Sequence, residues 1–157
     1  MKRVLLTGMS GTGKSAVVLE LAARGYKAVD LDEPEWSEAA PDGEWVWREE
    51  RVRHLLSTED ADVLFVAGCA SNQVKFYHQF DEIILLSAPA EVIMARLATR
   101  TNNPFGKRPD ELAQVLSDLE ETEPKLRRVA GHEVDTSAPL EEVVAAILRI
   151  VQLPAVE

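Results

Sequence analysis

Short, almost wholly apolar runs alternate along this chain with stretches whose apolar residues recur every three or four positions, the signatures of buried strands and amphipathic helices. The runs Arg3–Thr7, Tyr26–Asp32, Asp62–Gly68, Glu82–Ser87 and Gly131–Asp135 predict five strands. Helical spacing marks Ala16–Arg24, Trp45–Leu56, Ala90–Thr101, Asp110–Val129 and Leu140–Val151, with a shorter helical piece ending at Gln79. Gly25 sits where a left-handed cap would end the first helix, and Pro124 must kink or divide the long one. Residues 33–43 are too rich in proline and acid for a core element and read as a loop; 153–157 read as a frayed end. Strands that alternate with helices in this way call for a parallel sheet with helices on both faces, a doubly wound α/β architecture of five strands.

The junction of the first strand and first helix carries the clearest chemistry. Gly8-Met9-Ser10-Gly11-Thr12-Gly13-Lys14-Ser15 matches G-x-x-x-x-G-K-[ST] in full, in the strand-loop-helix context that aims backbone N–H groups and a helix N-terminus at phosphate oxygens. Gly8, Ser10, Gly11, Thr12 and Gly13 form the cradle, Lys14 places positive charge at the β and γ phosphates, and Ser15 can offer its hydroxyl to Mg²⁺. A glycine turn that merely joined strand to helix would explain neither Lys14 nor Ser15. The reading is a site for a nucleoside triphosphate with Mg²⁺. Asp30 and Asp32 share one face at the C-terminal end of the second strand, the end at which open parallel sheets bind ligands. The third strand ends in Ala67-Gly68-Cys69, with no acid where many P-loop enzymes place one for magnesium, so Asp30 is expected to join Ser15 as a metal ligand.

Composition narrows the partners. Seventeen Lys+Arg stand against 27 Asp+Glu, a net charge of −10 with no Lys/Arg cluster of the nucleic-acid type, which argues against a nucleic-acid partner. Cys69 is the only cysteine, which excludes an internal disulfide; it reads as a small buried thiol rather than a nucleophile. His54, His78 and His132 are scattered, with no metal-ligand spacing. No apolar run reaches the ~20 residues of a membrane helix, and Met1-Lys2-Arg3 leads into a strand, so the expectation is a single cytoplasmic domain over 1–157 with no membrane partner. Trp36, Trp45 and Trp47 fall within twelve residues, close to Arg48 and Arg51. They either anchor a helix to the core or stack on a flat acceptor. Arg96, Arg100, Lys107 and Arg108 gather around Pro104, Gly106 and Pro109; this suits either a basic helix end or a lid, about 101–109, that closes over phosphates.

Taken together, the glycine loop, Asp30-x-Asp32, the strand closing on Gly68, Arg96-x-x-x-Arg100 and Val134-Asp135-Thr136-Ser137-x-Pro139 resemble the nucleoside-monophosphate and shikimate kinase superfamily. Gly68-Cys69 with Arg51 is also similar to the adenylate kinase isoenzyme 6 family, and Asn102–Lys107 to short bacterial P-loop proteins called ATPases or shikimate-kinase-like. The resemblance implies a three-layer P-loop NTPase fold with sheet order 2-3-1-4-5 and a short lid. It implies that Arg96 helps bind the nucleotide, that Arg100 and Lys107 belong to the lid, and that Thr136 to Pro139 border adenine. Against the shikimate kinase pattern, three closing glycines are replaced by Gly68-Cys69-Ala70 and the substrate arginine falls on Thr122.

The expected function is a kinase moving the γ-phosphoryl group of ATP to a small acceptor, anionic or nucleotide-like. Lys14, Asp32 and Arg100 would be catalytic, and Asp32, Trp45, Trp47, Arg48, Arg51 and Gly68 would hold the acceptor, most of them within about 32–51. The alternative is a slow ATPase, a nucleotide-dependent switch that binds a protein partner. Oligomeric state and the choice of ATP over GTP stay open.

Overall fold

β1 (Lys2–Thr7) ends in four consecutive buried residues, as a strand covered on both faces must. In the computed structural model, which describes residues 1–99 and 107–151, it lies at the centre of a five-stranded sheet. Its neighbours are β5 (Val63–Ala67) and β6 (Glu82–Ser87), both parallel to it; Leu5 stands opposite Val66 on one side and Ile83 on the other. β2 (Lys27–Asp30) flanks β5 and β7 (His132–Asp135) flanks β6, again parallel.

Alternate strand residues face opposite layers. Val4, Leu6, Phe65 and Ile84 pack with α1 (Lys14–Ala23) and α6 (Leu140–Ile150) through Val17, Leu21, Val144 and Ile147. Leu5, Leu64 and Val66 pack on the other face, with Val52, Leu55 and Leu56 of α2 (Glu49–Ser57) and Phe76 of a 3₁₀ helix, Ser71–Gln79. Ile93 and Leu97 of α3 (Ala90–Thr99) meet Val115 of α4 (Pro109–Glu121) in a smaller cluster. The expected three layers and five parallel strands are present. The expected long helix is divided: α4 ends at Glu121 and α5 (Glu123–Val129) starts afresh with Pro124 in its first turn, where a missing N–H costs nothing.

Two expectations need correction. Residues 33–43 are not wholly a loop and Trp45–Trp47 is not helical: Ser37–Ala39 (β3) and Trp45–Trp47 (β4) pair antiparallel as a separate hairpin. Trp-Val-Trp is a strong β-former, and Pro41-Asp42-Gly43 supplies the turn, with Gly43 at φ 87° and the Asp42 carboxylate accepting from Glu44 N at 3.0 Å. Counting these strands changes the sheet order from 2-3-1-4-5 to 2-5-1-6-7, because each later strand takes a higher number. Arg100, residues 101–106 of the expected lid and the expected frayed end 153–157 lie outside the described residues. Among those described, no helix is long and apolar enough to cross a membrane.

Candidate active site

Residues 8–15 wrap from the end of β1 into α1. Gly11 and Gly13 adopt φ 87° and 93°, which a residue with a Cβ rarely tolerates, and a Cβ on Gly8 would stand 2.3 Å from Leu86 O. No side chain caps α1, and its first turn carries no acid, so the positive end of the helix is left open to an anion. Lys14 Nζ folds back over the loop and donates to Gly8 O at 2.7 Å and Met9 O at 3.1 Å. A cradle with open N–H groups and a cation held across it fits a polyphosphate.

The two acids predicted at the end of β2 do come to the mouth of this loop. Asp30 Oδ2 accepts from Ser15 Oγ at 2.9 Å, while its Oδ1 accepts from the backbone N of Asp32 at 3.0 Å. Ser15 and Asp30 therefore offer adjacent oxygens of the kind a hard cation such as Mg²⁺ takes, and Mg²⁺ needs few protein ligands. Asp32 Oδ1 accepts from the Cys69 N–H at 3.2 Å, beyond the end of β5. Burial pushes the Asp32 carboxyl above the usual carboxylate range, and Lys14 and the Cys69 N–H offset part of that rise. Such a carboxylate is suited to orienting a hydroxyl and taking its proton. Burial also pushes the Cys69 thiol up, in keeping with a packed thiol and not a thiolate.

Trp47 is 1% exposed and packs against Phe76, with ring centres 5.8 Å apart. Its indole N–H points toward Asp32 and Gly68 without a hydrogen-bond partner, close enough to favour the charged carboxylate. Trp45 is half exposed and donates Nε1 to Asp32 O at 2.9 Å. The two open roles of the tryptophans are thus divided: Trp47 anchors the core, and Trp45 lies at the rim. Arg48 and Arg51 turn into the loop that precedes the hairpin and into the hairpin itself. Arg48 Nε donates to Pro34 O at 3.3 Å and its Nη1 pairs with Glu38 at 3.1 Å; Arg51 Nη1 donates to Glu35 O at 2.6 Å. Arg48 borders a cavity of about 410 Å³ together with Glu38, Val46, Trp47 and Asn72.

On the nucleotide side, the predicted residues make contacts within the protein. Arg96 is bonded to Gly11 O at 3.2 Å and to Thr136 at Oγ1 (2.9 Å) and O (2.5 Å), so it does not reach outward as a lid residue. The Thr136 hydroxyl is buried and donates to Thr12 O at 2.7 Å, facing the phosphate loop. Pro139, the cap of α6, is exposed. Lys107 donates to Ala98 O at 3.2 Å. Two residues escaped the sequence reading as individuals. Asn72 accepts from Trp47 N (3.1 Å) and donates to Trp47 O (2.9 Å), pairing β4 like a neighbouring strand. Gln73 is buried and ties the 3₁₀ helix to Thr7 Oγ1 at 3.1 Å. Neither leaves a sequence signal, since a polar residue in a short helical piece ordinarily faces water.

Comparison with known proteins accords with this geometry. The AAA domain family matches residues 4–121. A shikimate kinase of Pelotomaculum thermopropionicum is 30% identical over 97% of this chain and 96% of its own length. Among solved structures, the shikimate kinase of Acinetobacter baumannii in complex with shikimate superposes with a TM-score of 0.70 at 22% identity, covering 97% of this chain and 93% of that one. A gluconokinase from Sinorhizobium meliloti gives 0.62 at 23% identity, covering 96% and 94%. At those identities the two structures speak for the fold alone.

Proposed function

Because the chain belongs to the AAA domain family and to the shikimate-kinase-like P-loop small-molecule kinases, we propose that it transfers the γ-phosphoryl group of ATP to a hydroxylated carboxylate other than shikimate. One observation carries the reading: the Asp32 carboxylate, held by the Cys69 N–H, lies within electrostatic reach of Lys14, so an acceptor hydroxyl and the phosphate-binding charge meet at one place. Lys14 exchanges its two loop carbonyls for phosphate oxygens and offsets the charge that develops on them. Asp32 orients the acceptor hydroxyl and takes its proton. Mg²⁺ held at Ser15 Oγ and Asp30 would neutralise the phosphate oxygens and align them.

Arg48 supports an anionic acceptor. Its pair with Glu38 is half exposed, and such pairs contribute only about 0–1 kcal/mol, so an acceptor carboxylate can replace Glu38 at small cost. Gly68, Trp45 and Arg51 complete the acceptor side, and Arg100 is assigned to the transferring phosphate. The relatives named for shikimate and gluconate act on hydroxylated acids; Gly68-Cys69-Ala70 and Thr122, in place of the expected glycines and arginine, argue against shikimate itself.

The test is coupled ADP release across a panel of sugar acids and cyclic hydroxy acids that includes gluconate and shikimate. Acceptor-dependent ADP formation that Lys14→Ala abolishes, with the fold intact, supports the kinase. A slow rate indifferent to every acceptor would favour the nucleotide-dependent switch instead.

A further inference from the structure

The phosphate loop is gripped from behind by two side chains that lie 40 residues apart in sequence. One face of α3 is seated on it: a Cβ at Gly11 would stand 2.9 Å from Ile93 Cγ2 and 3.3 Å from Leu97 Cγ, and between these residues Arg96 Nη1 donates to Gly11 O. From the end of β7, the Thr136 hydroxyl donates to Thr12 O, and Thr136 N donates to Ser87 O at 2.8 Å. Arg96 then locks the two together through Thr136 Oγ1 and O. In a trans peptide the C=O and the following N–H point in opposite directions. Holding Thr12 O toward β7 therefore turns the Gly13 N–H away from it, and holding Gly11 O toward α3 fixes the Thr12 N–H, which donates to Met9 O at 3.3 Å and closes the turn. Both Arg96 terminal nitrogens are used in these contacts, so the guanidinium is committed to protein carbonyls and a hydroxyl.

We propose that Arg96 and Thr136 form a latch that fixes the backbone of residues 11–13 and so aims the Gly13 N–H at the phosphates. They are positioning residues for the nucleotide, acting through the loop backbone. This rests on the reading of 8–15 as a phosphate cradle and needs no knowledge of the acceptor. N–H groups oriented before the ligand arrives cost no reorganisation when charge meets them. Removing the latch therefore weakens phosphate binding more than it weakens the fold.

The experiment measures binding of Mg²⁺ with the fluorescent nucleotide mant-ADP, and the nucleotide-free melting midpoint, in Arg96→Lys, Thr136→Val, Thr136→Ser and the double variant Arg96→Lys/Thr136→Val. Loss of latch geometry in Arg96→Lys and in Thr136→Val is expected to raise the dissociation constant about tenfold each. Thr136→Ser, which keeps the hydroxyl, should bind as the unsubstituted protein does. The double variant should bind no worse than the weaker single one, since both substitutions break one unit. Unchanged affinity in Arg96→Lys and Thr136→Val, or multiplied losses in the double variant, would overturn the latch. Should affinity fall only in step with the melting midpoint, the role is structural and the proposal fails. Absence of mant-ADP binding by the unsubstituted protein would instead overturn the cradle reading, and the latch with it.

Discussion

Replacing Gly68 with alanine probes the join between the donor and acceptor halves of the site. The new Cβ would stand 3.0 Å from both Trp47 Cζ2 and Trp47 Nε1, and 3.1 Å from Asp32 Oδ1. Trp47 has little room to yield: it is 1% exposed, Asn72 holds its backbone at both N and O, and Phe76 backs its ring. Asp32 is the softer neighbour, and moving it by a few tenths of an ångström strains its bond from Cys69 N. Overpacking of this sort costs about 1–3 kcal/mol. At roughly 2–4 °C per kcal/mol for a chain of this size, the melting midpoint should fall by roughly 2–12 °C. Displacing Asp32 should lower acceptor-dependent turnover by about 10- to 100-fold. Mant-ADP affinity should hold, because the nearest atoms to the new methyl belong to Trp47 and Asp32 and none to residues 8–15. Thermal melts, nucleotide titration and coupled ADP release separate these effects. If Gly68→Ala melts and turns over like the unsubstituted protein, the Trp47–Gly68–Asp32 packing is not what positions the acid.

Asp32→Asn should abolish acceptor-dependent turnover yet raise the melting midpoint at pH 7. Burial raises the folded-state value of Asp32, so its charged form is penalised; the penalty is absent below the usual 3.8 and complete above the folded value, and stability declines with rising pH through that window. Melts across the window should show that decline in the unsubstituted protein and not in the variant, and an equal decline in both would refute the assignment. Asn72→Ala removes both bonds that hold Trp47 and should cost about 1–3 kcal/mol in urea unfolding; a smaller cost would mean that core packing alone fixes β4. At the far edge of the sheet, the Arg127 guanidinium holds the Glu133 carboxyl below the usual range. This contribution is present above the usual value of 4.5 and is lost as pH falls through the folded value, so Glu133→Gln should flatten the acid limb of the stability curve. An acid limb unchanged in that variant would show that the pair adds nothing.

The donor half was legible because eight consecutive residues encode it, and strand, loop and helix are local to one stretch of chain. Pairing Asp30 with Ser15 followed from the period of a strand and the missing acid at 67–69, and the two side chains do meet. The hairpin was not legible: Trp45-Val46-Trp47 favours a strand but is only three residues long and runs into helical spacing, and its partner Ser37-Glu38-Ala39 carries no β signature of its own. What decides between the two is the pairing itself, which lies between segments. The resemblance put Arg96 and Thr136 at the nucleotide, but it could not show their contacts with the loop, most of which are to carbonyl oxygens that every residue possesses and no sequence pattern marks.

Trp47 serves two ends at once, as one of the largest side chains of the core and as the wall against which Gly68 and Asp32 are set. Substitutions there that reshape the proposed acceptor cleft also open a hole beneath the sheet, so few can be tolerated. Trp45 and Glu38 on the hairpin and Arg48 just after it bear no such burden, being exposed or half exposed. A lineage exploring new acceptors is therefore confined to the rim of the hairpin, and a library meant to retarget this enzyme should randomise those three positions and leave Trp47 alone.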